Sequence, residues 1–91
     1  MLPGGKGTAM GLDWTASCDG RRHAAEVQLA GEGTVRAAAE SHGETGCDWH
    51  VWDTLHRMPQ CHGLAATLAG AKAQAERAAA EMAEALARRA A

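Results

Sequence analysis

The sequence predicts an α+β domain: an antiparallel β-meander of three to five strands packed on one long C-terminal α-helix. Two observations carry this. The hydrophobic period changes at Thr67, from alternation of apolar and polar residues before it to an Ala-rich run interrupted only by Gly70 after it. Within the first part, Asp19-Gly20 and Gly31-Glu32-Gly33 punctuate the alternating segments with turn chemistry. A chain of 91 residues makes one domain. Residues 1–10 are expected to be flexible, and residues 11–91 to form the domain, with the sheet in 11–66 and the helix in 67–90.

The opening MLPGGKGTAM is Gly-rich and lacks the apolar core of a secretion signal. Met10, immediately before the first strand-like segment, is a candidate start. Gly5-Lys6-Gly7-Thr8 lacks the preceding strand and the direct Lys-Thr pair of a phosphate loop. Leu12, Trp14, Ala16 and Cys18 then alternate with Asp13, Thr15 and Ser17 as a half-buried strand, with Cys18 expected in the core. A second strand from about His23 to Ala30 puts Ala25, Val27 and Leu29 on one face, Glu26 and Gln28 on the other. A third has Val35, Ala37 and Ala39 inward, Arg36 and Glu40 outward, although VRAAAES also suits a helical turn. After a loop at His42–Gly46, Cys47 to Leu55 gives the strongest strand pattern: Trp49, Val51 and Leu55 on one face, His50, Trp52 and Thr54 on the other.

Residues 56–63 form a connection in which Pro59 stops any ladder, and Leu64–Ala66 suits a short extended stretch. Thr67 is a good N-cap. The helix it opens has an apolar line of Leu68, Ala71, Ala75, Ala78/Ala79, Met82 and Leu86. At ~1.5 Å per residue such a helix is about 35 Å long, whereas a strand of eight residues spans about 27 Å. Met82 and Leu86 are therefore expected on an overhang, as a frayed end or as a homodimer contact. The small core points the same way. Phe and Tyr are absent, so Trp14, Trp49, Trp52, Val51, Leu29 and Val27 must supply much of the burial energy, and a partner chain would add apolar surface.

Charge excludes some functions. The formal net charge is −2, which argues against direct nucleic-acid binding. An acidic excess gathers around Glu40, Glu44, Asp48 and Asp53, either as a solvated rim or as a face aimed at a basic partner. No segment is apolar and long enough to span a membrane. Without a signal sequence, the three Cys are expected to be reduced thiols in the cytoplasm.

Cys47-x-x-His50 followed by Cys61-His62 has the outline of a zinc pattern. On a strand, however, positions 47 and 50 face opposite ways, and the paired tight elements of structural zinc sites are missing. No metal and no cofactor is expected. A small metal-dependent or thiol enzyme, with Cys61 beside His62 or His56 and Asp53 as orienter, is the alternative. It requires a cleft that a small sheet with one helix does not offer. Trp52 carries more. If the helix covers the Trp49 face, Trp52 lies on the uncovered face with His50, Thr54 and Arg36 around it and Asp48 and Asp53 at its rim, the composition of a protein-binding hot spot. Otherwise Trp52 packs beneath residues 56–63, and a one-residue slip of register exchanges the two Trp.

The stretch Trp49-His50-Val51-Trp52-Asp53, followed by Cys61-His62-Gly63-Leu64-Ala65-Ala66-Thr67-Leu68 and the spaced Ala71-Lys72 and Ala75-Glu76, resembles small uncharacterised proteins of phages and mobile elements in GC-rich proteobacteria. The resemblance covers roughly residues 47–80. It implies a non-enzymatic protein-interaction module, in its concrete form a phage-encoded anti-CRISPR inhibitor that blocks a host effector complex. It assigns no role to any particular residue.

Overall fold

The computed structural model describes residues 12–29 and 33–90. The segment expected to be flexible, 1–10, lies outside the described residues, as does most of the Gly31–Gly33 turn. The five strands are β1 (Thr15–Ala16), β2 (Arg22–Gln28), β3 (Thr34–Ser41), β4 (Cys47–Asp53) and β5 (Cys61–Ala65). They form one sheet in sequence order, each antiparallel to the next. The helix α1 (Leu68–Ala90) then packs on one face. The α+β meander is thus as the alternation predicted.

Local chemistry sets each corner. In the first turn Gly20 adopts φ +73°, and Asp19 accepts from the Ser17 hydroxyl at 2.7 Å and the Arg21 N–H at 3.0 Å. These bonds hold the Asp19 carboxyl below its ordinary value, the hydroxyl contributing most. Cys18 sits in this turn and is exposed, not in the core, because pairing in the first strand ends at Ala16. At the helix start the Thr67 side-chain oxygen accepts from the Gly70 N–H at 3.0 Å, the expected N-cap. β5 begins at Cys61, earlier than the Leu64 expected, since Pro59 blocks the ladder only in its own vicinity.

The core lies between the sheet and α1. Val35 and Val51 are fully buried, and Ala71, Ala75 and Ala79 of the helix meet the sheet face with no exposed surface. Trp14 and Trp49 are half-buried and pack against this core. Met82 and Leu86 are each 3 % exposed and belong to the main cluster, so they are core residues and not an overhanging dimer contact. The length comparison failed because loops extend the covered area beyond the strand ends. Leu12, Leu29 and Met58 all pack on that cluster, and Arg89 donates to the Arg57 carbonyl at 3.2 Å. Leu55, expected inward, is 45 % exposed: β4 ends at Asp53, and Leu55 sits in the following turn, close to Gly33.

Candidate functional site: the open face of the sheet

The register decides which Trp is covered. Val35, Ala37 and Ala39 of β3 stand opposite Asp53, Val51 and Trp49 of β4, and this set faces α1. Arg36, Ala38 and Glu40, opposite Trp52, His50 and Asp48, face the other way. No element covers this second face among the described residues. Trp52 is therefore on the open face, as the first of the two alternatives required.

Its neighbourhood is ordered. The His50 and Trp52 rings stack with centroids 4.7 Å apart and planes 17° from parallel. Arg36 lies directly across from Trp52 and turns its guanidinium to Glu26, with N···O 3.5 Å. Ala38, across from His50, is 2 % exposed despite facing outward, so the neighbouring side chains close over it. On the far side of His50 stands His62, and beside it Leu64, 80 % exposed. A shallow recess lined by Asp13, Thr15, Ala24, Glu26 and Arg36 extends the face toward β1.

Two of the expected acidic rim residues part company. Asp48 is on the open face, half-exposed, and accepts from the His42 ring at 2.9 Å. Asp53 is not on that face. It is 2 % exposed on the helix side and accepts from the backbone N–H of Arg57 at 2.9 Å and of Met58 at 3.0 Å, which ties down the β4–β5 loop. Burial pushes its carboxyl up, but the backbone N–H donors of Arg57 and Met58 outweigh it, leaving the carboxyl below its ordinary value. Strict alternation explains the exchange: Asp53 has the parity of Trp49, not of Trp52.

Cys47 is buried on the helix face and His50 is on the open face, so these two do not converge. Cys61 and His62 likewise project to opposite faces as successive strand residues, and Asp53 is committed to the loop backbone, so the Cys61–His62 pair with Asp53 as orienter is not brought together. The structure instead groups Glu40, His42 and Asp48, whose potential ligand atoms all lie within 4.8 Å of one another. These three could hold a divalent ion through one imidazole and two carboxylates. Sequence reasoning missed the group, although Glu40 and Asp48 flank the 42–46 loop with the parity that makes them cross-strand partners.

No protein-family model, curated protein or solved structure matches the chain. No helix among the described residues is long and apolar enough to cross a membrane.

Proposed function

We propose that the protein is a non-catalytic, cytoplasmic protein-binding module whose contact surface is the open face of the sheet, centred on Trp52. One observation carries this reading: a stacked, half-exposed His50–Trp52 pair on a face that the helix leaves uncovered. A large rigid aromatic beside Arg36 supplies contact area at low entropic cost, the recurrent make-up of an interface hot spot. Asp48, Glu40 and Glu26 lie on the same face paired with His42, Arg22 and Arg36, so the face offers a partner both signs of charge. Asp53 has no part in it, because its carboxylate is buried in the loop.

The resemblance to phage and mobile-element proteins narrows the partner to a host complex, with a CRISPR effector as the concrete case. The test is protection of an incoming plasmid or phage from CRISPR interference in cells carrying the protein. Wild type should protect and Trp52→Ala should not, while remaining folded. A folded Trp52→Ala that protects fully removes the face from consideration.

A further inference from the structure

The last strand leaves the sheet with an open edge among the described residues. β5 is paired only with β4, and at the opposite edge β1 is two residues long, so β5 is the extended edge among the described residues. Its open backbone groups follow from the ladder. The Thr54 N–H donates to the Thr34 carbonyl at 2.9 Å and the His42 N–H to the Gly46 carbonyl at 2.8 Å, so even-numbered residues of β4 bond toward β3. In an antiparallel pair the N–H and C=O of one residue point to the same side, and successive residues alternate. Cys47, Trp49 and Val51 therefore bond toward β5, through Ala65, Gly63 and Cys61. The N–H and C=O of His62 and Leu64 point away from the sheet.

We propose that β5 pairs antiparallel with β5 of a second copy about a two-fold axis at Gly63, joining two five-stranded sheets into one. In that register His62 faces Leu64 of the second copy, and Leu64 faces its His62. The open groups meet as two exchanging pairs, and Gly63, without a side chain, sits at the axis. Both side chains project to the open face, so the second copy's His62 ring covers part of Leu64, now 80 % exposed. Such a contact uses one patch twice, the form that two-fold dimers take.

The occupant is a second copy because the edge is its own complement. The two residues with open groups are symmetric about Gly63, and the strand CHGLA holds no Lys, Arg, Asp, Glu or Pro. Those residues are the usual means of keeping an edge from pairing. Two short strands make a small interface, so association depends on concentration. This contact borders the open face but does not use Trp52 itself.

Sedimentation equilibrium over a concentration series tests it. Wild type should approach twice its 9.5 kDa mass as concentration rises. His62→Pro deletes an edge-facing N–H that takes no part in the β4 ladder, a position where an edge strand tolerates proline. It should keep its far-UV circular dichroism and sediment as a monomer. Leu64→Lys, whose side chain already reaches solvent, should do the same and decides the matter if the proline variant fails to fold. Trp52→Ala should still dimerise. A wild type that stays monomeric throughout overturns the proposal. So does a folded Leu64→Lys that dimerises like wild type, or a dimer lost only with Trp52→Ala.

Discussion

The indole of Trp49 occupies the space beside Gly63, its direct partner across β4 and β5: a Cβ at position 63 would stand 2.8 Å from the ring. The Nε1–H of the same indole donates to Gln74 of α1 at 2.9 Å, so the ring is held between sheet edge and helix. Gly63→Ala should accordingly cost about 1–3 kcal/mol through overpacking. Because the three contacting atoms all belong to the indole, Trp49→Leu should remove most of that penalty. Urea midpoints of the two single variants and the double variant measure the coupling, and simple additivity would contradict the assigned contact.

Trp49 and Trp52 should separate cleanly in stability. Trp49→Ala strips a ring that packs on both core clusters and should cost about 3 kcal/mol. Trp52→Ala loses chiefly its stacking on His50, worth about 1 kcal/mol. Chemical denaturation of both variants checks this, and a Trp52→Ala as unstable as Trp49→Ala would show that the outer ring is a structural element.

Acid should release the β4–β5 loop through Asp53. Its folded carboxyl lies below the ordinary 3.8, so the unfolded chain takes up the proton first as pH falls. The stabilisation is complete well above pH 3.8 and is lost as pH falls through the folded value. Asp53→Asn should be about 1–2 kcal/mol less stable than wild type at neutral pH. The difference should shrink below the ordinary value, giving the variant a flatter acid limb in melts taken across that range.

Met82 offers the sharpest test of the corrected core. Met82→Glu buries a charge at a site 3 % exposed and should abolish the cooperative thermal transition at neutral pH. Met82→Leu, close in volume, should cost less than about 1.5 kcal/mol. A well-folded Met82→Glu would instead return this residue to the surface.

Period and parity explain what was legible beforehand. Alternation over 23–28, 35–40 and 47–52 placed every one of those side chains on its observed face, and Thr67 marked the helix start. Asp53 shows where reading by residue type fails: a carboxylate suggests a rim, but its parity put it inside, and only the backbone donors of Arg57 and Met58 make that tolerable. Those donors come from a loop without periodicity. Met82 and Leu86 failed for the same reason, since the segments around Leu12, Leu29 and Met58 that pack on their cluster carry no pattern from which coverage can be counted. The Glu40–His42–Asp48 group and the open edge of β5 both depend on which strands become neighbours.

Ala71, Ala75 and Ala79 are wholly buried where α1 meets the sheet, and this constrains how the chain can change over time. Most core positions have room to drift through neighbouring sizes, giving up a methylene here and regaining one there. These three have no such path. The single smaller side chain, glycine, costs about 1 kcal/mol of helix propensity at each, and every larger one must push helix and sheet apart along their whole contact. A saturation-mutagenesis library selected for folded protein should therefore show alanine nearly fixed at these three sites. Among the larger residues of the same core, Val35 and Val51 should still exchange with their near isosteres.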